Sequence, residues 1–120
     1  MKRVIIIEDN NTIRDDLEMT EKISPDPEYT MICLNTAEGL TQAVKRHRAD
    51  LIVMSQNIME HSMIDPNMGV DIAVYLEDED TNAGNKAEEK GYISLGVLES
   101  SEEIMDAIRT CLRNTQRTIT

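Results

Sequence analysis

Five short apolar segments recur along this 120-residue chain at intervals of about 20 residues, and this recurrence limits its fold more than any other feature. The segments start near residues 3, 29, 50, 70 and 91. The first contains Val4–Ile7, a β-branched run, and continuous apolar runs of this length are typical of strands buried on both faces of a parallel sheet. Helical spacing of apolar residues occupies most of the stretches between the segments. The pattern predicts a doubly wound α/β domain, (βα)5, with one five-stranded parallel sheet.

The fourth segment, Val70–Leu76, is open to two interpretations. Apolar residues alternate along it, which favours a strand. A helix that begins at Gly69 and extends through Asp78 is the alternative, because periodicity separates strand from helix poorly in short apolar runs. The acidic run Glu77–Asp80 follows and indicates either a solvated surface or an electrostatic recognition patch.

Polar residues close the chain. Ser100 or Ser101 is expected to cap the last helix, whose apolar face ends at Leu112. Residues 114–120 carry no apolar pattern. The sequence therefore predicts one domain over residues 1–113 and a polar tail or linker over residues 114–120.

Charge and cysteine usage restrict the partners and the compartment. The net charge of −11 repels nucleic acids and anionic membranes, so this domain is predicted not to bind nucleic acid directly and to prefer neutral or basic protein surfaces, or cations. Cys33 and Cys111 both lie in apolar runs, as expected for buried thiols in a reducing compartment. No apolar stretch is long enough to span a bilayer. A soluble, cytoplasmic protein is predicted.

Parallel α/β sheets bind ligands beyond the carboxyl ends of their strands. Chemistry is therefore expected near Glu8 and Asp9, Ser55, Leu76 and Glu77, and Leu95 and Gly96. The sequence contains no glycine-rich phosphate loop and no nucleophile elbow. No catalytic residues are identified, and the chain is predicted not to be an enzyme.

Three stretches carry a family resemblance: Val4–Asn10, Ala49–Met54, and Gly91–Leu95 with the helix that follows it. They resemble response-regulator receiver domains, the CheY-like family, whose fold is flavodoxin-like. In that family an acidic pair after the first strand holds Mg²⁺, and a carboxylate after the third accepts phosphate. A lysine after the fifth strand pairs with the phosphoryl group, and a threonine or serine after the fourth senses it.

Carried onto this chain, the resemblance gives a degenerate site. The acidic pair matches Glu8 and Asp9, but the acceptor position falls on Ser55 and the lysine position on Leu95. The hydroxyl position falls near Leu76 or Glu77, neither of which has a hydroxyl. Serine has no ionised oxygen at neutral pH and cannot form an acyl phosphate, so Ser55 is expected to act as a capping hydroxyl. With one carboxylate fewer, the acidic pair is expected to bind Mg²⁺ weakly at most.

The predicted function is that of an atypical receiver, or pseudo-receiver: a phosphorylation-independent signalling and protein-interaction module of a two-component-type regulator. The resemblance implies a surface over residues 79–113 for a protein partner, an effector domain or a second copy. Two alternatives remain open. One is a phosphorylatable receiver with a misread acceptor, in which Asp65 would matter if the third strand were misplaced. The other is a small-ligand-binding flavodoxin-like domain, with little support from a chain whose only aromatic residues are three tyrosines.

Overall fold

A computed structural model of the chain describes residues 1–65, 67–77 and 81–118. Strands and helices alternate throughout this part of the chain. The strands are β1 (Lys2–Ile7), β2 (Tyr29–Leu34), β3 (Leu51–Ser55), β4 (Asp71–Leu76) and β5 (Ile93–Val97). The helices are α1 (Asn11–Ile23), α2 (Leu40–His47), α3 (Gln56–His61), α4 (Thr81–Glu89) and α5 (Ser101–Thr118). The strands form one parallel sheet in the order β2-β1-β3-β4-β5, which confirms the predicted doubly wound, flavodoxin-like fold.

The core has two layers because β1 is buried on both faces. Val4 and Ile6 pack towards α1 and α5, whereas Ile5 and Ile7 pack towards α2, α3 and α4. All four side chains are fully buried, and burial of each stabilises the fold by roughly 1.5–3 kcal/mol relative to exposure. The methionines in the middle of the chain differ in burial: Met54 is in the core, whereas the side chain of Met63 is wholly exposed.

Residues 71–76 form an interior strand of the sheet. β4 pairs with β3 on one side and β5 on the other, and its residues from Ile72 to Leu76 are buried. The strand interpretation is therefore confirmed, and the alternative helix from Gly69 is wrong. Pairing on both edges and burial on both faces decide the conformation that the short apolar run left ambiguous.

The last strand contains a β-bulge. Val74 is opposite Ser94, but Leu76 is opposite Val97, so β5 contains one residue more than β4 over this interval. Gly96 lies in the bulge with φ of 80°, a left-handed conformation that a residue with a Cβ adopts only under strain. The bulge changes which β5 side chains reach the carboxyl edge of the sheet.

Side-chain caps mark the N-termini of α1 and α5, the two helices that pack on the same face of β1. Asn10 accepts hydrogen bonds from the backbone N–H groups of Thr12 and Ile13, at 2.9 and 3.2 Å, and so caps α1. Ser100 accepts one from Glu103 N–H at 3.2 Å and caps α5, as predicted. Helix α5 continues to Thr118, so residues 114–118 of the predicted tail are helical. Residues 119–120 of that tail, and residues 78–80 of the acidic run and the predicted partner surface, lie outside the described residues.

An ion pair fastens α5 to the turn between α1 and β2, at the amino edge of the sheet. Asp26 is 5% exposed and accepts hydrogen bonds from Arg109 Nε at 2.7 Å and from Glu28 N–H at 2.8 Å. The hydrogen bond to Asp26 raises the pKa of the Arg109 guanidinium, which keeps it charged. The buried hydroxyl of Tyr29 donates to the Met105 carbonyl at 2.9 Å and adds a second link to α5.

Both cysteines are free thiols. Cys111 is buried, as predicted, whereas Cys33 is half-buried on the edge strand β2. Burial raises the pKa of the Cys33 thiol to about 11, so the thiol is protonated at neutral pH. In the described part of the chain, no helix has the length and apolar character to cross a membrane.

Candidate functional site at the carboxyl ends of the strands

The centre of the carboxyl edge is the buried side chain of Glu8, which directly follows β1. Glu8 is 1% exposed, and a hydrogen bond from its N–H to the Leu34 carbonyl, at 2.9 Å, fixes its backbone. Its carboxylate accepts hydrogen bonds from the Tyr75 hydroxyl and, at 3.0 Å, from Asn10 N–H. Burial raises the pKa of Glu8, and the hydrogen bonds from Tyr75 and Asn10 only partly oppose that effect. Glu8 is thus a carboxyl group whose environment favours its neutral form.

Tyr75, the partner of Glu8, was not identified from the sequence. It lies on β4 opposite Ser55, and its side chain packs in the core layer beside α1 and α5. Burial, and then the bond to Glu8, raise the pKa of the Tyr75 hydroxyl, so the phenol is a donor and not a phenolate. Strand alternation could have found it, since Tyr75 and Glu8 lie on the same side of the sheet as Val4 and Ile6.

Asp9, the next residue, lies close to this buried pair, and its carboxylate raises the pKa of Glu8 further. It is exposed and accepts a hydrogen bond from the amide Nδ2 of Asn57 on α3, at 2.5 Å. The two neighbouring carboxyl groups thus differ in burial: Glu8 is bonded to a buried phenol, and Asp9 to an amide at the surface.

Ser55 ends β3 and is completely buried. Its hydroxyl oxygen accepts a hydrogen bond from Ile58 N–H at 3.3 Å, which makes it the N-cap of α3. The predicted capping geometry is present. The next residue, Gln56, joins β3 to β4 because its side-chain oxygen accepts a hydrogen bond from Glu77 N–H at 3.0 Å.

Apolar packing occupies the position where the resemblance places a lysine. Leu95 is half-buried and packs against the core layer beside α1 and α5, and Gly96 after it forms the bulge. Leu76, at the hydroxyl position, is buried in the opposite core layer with Ala83 and Ala87 of α4.

The lysines lie at the amino edge of the sheet. A crossover helix runs back from the carboxyl edge, so its last turn lies beside the start of the next strand. The hydrogen bond from Arg3 to the carbonyl of His47, at 3.0 Å, shows this for β1 and the end of α2. All five lysines of the chain are at such positions: they are Lys2 on β1, Lys22, Lys45 and Lys86 in last helical turns, and Lys90 just after α4.

An arginine that the sequence analysis missed contacts the backbone of the acidic pair. Arg14 lies one helical turn after the α1 cap and donates from Nη1 to the Glu8 carbonyl oxygen at 2.9 Å. Its Nη2 donates to the side-chain oxygen of Asn11. The guanidinium thus stabilises the backbone after β1. Among the described residues, its hydrogen bonds do not include one to the Glu8 carboxylate.

The side chains of the edge offer few ligands for a divalent cation. Mg²⁺ prefers near-octahedral oxygen coordination. Asp9 and Glu77 are exposed here, while Glu8 is bonded to Tyr75 and Ser55 caps α3. Within residues 1–65, 67–77 and 81–118, no group of three or more His, Cys, Asp or Glu side chains is arranged to hold a metal ion. Weak Mg²⁺ binding by Glu8 and Asp9 stays a prediction.

Asp65, the alternative acceptor, lies in the loop between α3 and β4. Its carboxylate accepts a hydrogen bond from Asn67 N–H at 2.9 Å, and the residue lines a small hollow beside α2 with Gly39 and Met63. Because β3 lies where the sequence placed it, the misplaced strand that the Asp65 alternative required does not exist.

Comparison with known proteins gives structural relatives only. No protein-family model matches the chain, and no curated protein sequence matches it. The signal receiver domain of an HD domain-containing protein from Pseudomonas fluorescens is 18% identical, with a TM-score of 0.69 over 97% of this chain and 98% of that one. A CheY-like receiver domain from Methanospirillum hungatei is 12% identical, with a TM-score of 0.71 over 98% of each chain.

A third receiver domain, from Clostridium thermocellum, is 10% identical and matches over 100% of both chains with a TM-score of 0.71. The identities are too low to carry residue roles across, but the coverage is nearly complete in each comparison. The chain therefore has the fold of response-regulator receiver domains, from its first strand to its last helix.

Proposed function

We propose that this chain is a pseudo-receiver, a signalling and protein-interaction module that works without phosphorylation. The observation that carries the proposal is the hydroxyl of Ser55, buried and bonded as a helix cap at the end of β3. A buried capping hydroxyl has no negative charge with which to attack phosphorus. Neither catalysis nor a cofactor is part of the proposed role, and its proposed compartment is the cytoplasm.

The surroundings of Ser55 support the same proposal. Phosphoryl transfer relies on cations that neutralise the charge on the phosphoryl oxygens. Here the half-buried side chain of Leu95 packs against the core, and the lysines lie at the other edge of the sheet. A phosphoryl group would meet the carboxyl groups of Glu8 and Asp9 without a lysine to offset their charge.

For the partner surface, we propose the described part of residues 79–113, around β5. This edge strand is half-buried, and Ile93 at its start is 37% exposed. A groove of about 640 Å³ runs between β5 and α5 and is lined by apolar side chains that include Leu95 and Ala107. An apolar groove beside an open strand edge suits a protein partner, an effector domain or a second copy.

The central experiment is incubation of the purified chain with acetyl phosphate and Mg²⁺, followed by intact-mass measurement. We expect no mass gain in the wild type, in Ser55→Ala or in Asp65→Asn. Ser55→Asp restores an acceptor and tests whether the rest of the edge is competent. A phosphate on the wild-type chain that Ser55→Ala or Asp65→Asn abolishes would refute the proposal and identify the acceptor.

The β5 surface is tested separately by oligomeric state. Light scattering of the wild type and of Ile93→Glu at several concentrations reports whether a second copy occupies this edge. A dimer that Ile93→Glu converts to a monomer supports the second copy. A wild type that is monomeric at every concentration would leave the partner protein or effector domain as the occupant of the surface.

A further inference from the structure

The outer edge of β2 presents backbone hydrogen-bonding groups. β2 lies at one end of the strand order, so in the described part of the chain it pairs with β1 alone. The carbonyl groups of Glu28 and Leu34 face β1, because they accept hydrogen bonds from β1 and from the residue after it, at 3.2 and 2.9 Å. Backbone direction alternates along a strand, so Tyr29, Met31 and Cys33 direct their N–H and C=O groups away from β1. Such an edge is a template on which another strand can pair.

One acidic side chain covers part of this edge. Glu21, near the end of α1, is half-buried, and its carboxylate accepts a hydrogen bond from Met31 N–H at 2.6 Å. The carboxylate therefore occupies the position that a carbonyl group of an added strand would take. The strand itself, Tyr29–Leu34, contains no charged residue and no proline, so its sequence lacks the usual features that prevent edge pairing.

The two edge strands of the sheet differ in regularity. β5 contains the bulge at Gly96, whereas β2 keeps one unbroken register against β1 over all six of its residues. A bulge increases the twist of a strand and interrupts its row of donors and acceptors. β2 is therefore the edge at which a strand can add over its whole length.

From these features we infer that the free edge of β2 pairs with β2 of a second copy of this chain, antiparallel about a two-fold axis, and that Glu21 opposes the pairing. An antiparallel pair of identical strands is self-complementary, since each copy supplies the same donors and acceptors. The pairing joins two five-stranded sheets into one continuous sheet. It also sets the amino edge of each copy beside the carboxyl edge of the other, because the two strands run in opposite directions.

Local charges favour this antiparallel arrangement of two copies. The helices that follow β1 and β2 carry cations in their last turns: Lys22 in α1, and Lys45 and Arg46 in α2. Carboxylates precede them, with Glu18 one turn earlier in α1 and Glu38 just before α2, and all five side chains are exposed. A two-fold axis at β2 turns each helix antiparallel to its counterpart, so cations of one copy approach carboxylates of the other. At physiological salt the Debye length is about 8 Å, so these near charges outweigh the repulsion between two chains of net charge −11.

The first test measures the dimer Kd of the full chain by sedimentation velocity over a wide range of protein concentration. We expect Glu21→Ala to lower the Kd about tenfold relative to the wild type, because Met31 N–H loses its acceptor within the chain. Glu21→Gln keeps a side-chain oxygen that accepts the same hydrogen bond, and its Kd should stay within about threefold of the wild-type value. Glu88→Ala makes the same change of net charge as Glu21→Ala at an exposed position on α4, and should leave the Kd unchanged.

An exchange of charges tests the antiparallel orientation. In the Glu21→Ala background, Glu38→Lys and Lys45→Glu should each raise the Kd about threefold, because each places like charges together across the two-fold axis. The two substitutions combined should restore the Kd, since each copy then offers the opposite sign at both ends of α2. If the two effects simply added, the ends of α2 would not meet across the axis, and the orientation would be wrong.

Hydrogen exchange locates the interface independently of the Kd. As the concentration of Glu21→Ala rises through its Kd, the backbone N–H groups of Met31 and Cys33 should exchange more slowly, while those of β5 keep their rates. Thr30→Lys, at an exposed position on β2, should dissociate the dimer, because lysines at a strand edge oppose pairing. Ile93→Glu on β5 should leave the dimer intact.

Several results would overturn the inference. One is the absence of a Glu21→Ala dimer at the highest concentration, and another is an equal effect of Glu21→Ala and Glu88→Ala on the Kd. Slower exchange in β5 with unchanged exchange in β2, or a dimer that Ile93→Glu dissociates, would place the second copy on the β5 surface instead. That last result would agree with the proposed function, and a β2 dimer leaves the proposed absence of phosphorylation untouched, so the two can fail separately.

Discussion

The two edges of the sheet each bury one carboxyl group, and they do so in opposite ways. At the amino edge, Asp26 is paired with the guanidinium of Arg109 within a hydrogen-bonded cluster. At the carboxyl edge, the partner of Glu8 is the neutral hydroxyl of Tyr75, and burial raises the pKa of the carboxyl group. The comparison indicates that the amino edge pairs its buried carboxyl group with a cation, whereas the carboxyl edge bonds its buried carboxyl group to a neutral donor.

The largest expected effect is at the amino edge. Asp26→Ala should lower the free energy of unfolding by about 2–3 kcal/mol, because the buried Glu28 N–H and the α5 side chain lose their acceptor. Urea denaturation at pH 7 measures this. Asp106→Ala is the matched control: Asp106 also approaches Arg109, at 3.3 Å, but is largely exposed, so its loss should have little effect. Equal effects of the two variants would contradict the assignment.

The next largest effect is at the carboxyl edge. Tyr75→Phe keeps the ring but removes the hydroxyl, and should cost about 1–2 kcal/mol at pH 7, since the Glu8 carboxylate then retains only the Asn10 N–H. Below pH 4.5, where Glu8 is protonated in the folded and the unfolded chain, the cost should be smaller. Thermal unfolding across this pH range measures both values. A cost that does not change with pH would show that the phenol serves packing only.

The third prediction concerns how protonation of Glu8 makes the stability of the fold depend on pH. Because the pKa of Glu8 in the folded chain is raised above 4.5, the folded state binds more protons than the unfolded state between the two pKa values. Stability due to Glu8 is therefore complete below pH 4.5 and is lost as pH rises through the folded pKa. Glu8→Gln should remove this part of the pH dependence and raise stability at pH 7 relative to the wild type. If Glu8→Gln kept the wild-type dependence of stability on pH, another titratable group would be responsible for it.

The smallest effect is expected at the solvent-exposed hydrogen bond from Asn57 to Asp9. Asn57→Ala removes the donor to Asp9, and since Asp9 is exposed, the free energy of unfolding should change by less than about 0.5 kcal/mol. Chemical denaturation with duplicate titrations resolves this limit. A loss above 1 kcal/mol, on the scale of an ordinary buried hydrogen bond, would mean that Asp9 belongs to the buried cluster with Glu8.

Local signals predicted the fold and the backbone of the site well. The β-branched run of β1 and the serine cap of α5 are both determined by neighbouring residues, and each is in its expected place. Ser55 is also local, since its hydroxyl caps the helix that follows it.

The features that the sequence analysis missed depend on the register between strands that are distant in the chain. The bond from Tyr75 to Glu8 joins residues 67 positions apart, and it exists because β4 takes one register against β3. The bulge at Gly96 adds a residue to β5, so counting along the strand does not give its partners on β4. The resemblance also directed attention to Leu76 and Glu77 for a hydroxyl, whereas the hydroxyl that β4 supplies is the phenol of the preceding residue, Tyr75.

The distribution of lysines has a consequence for how the molecule meets a partner. Every lysine lies at the amino edge of the sheet, whereas Glu8 and Asp9 lie at the carboxyl edge, so the charges of this anionic chain are unevenly distributed between the two edges. An approaching basic protein exerts a torque on such a molecule and turns its carboxyl edge forward before any contact forms. Diffusion alone would sample all orientations equally, so this uneven charge brings the carboxyl edge to a basic partner first in a larger share of encounters.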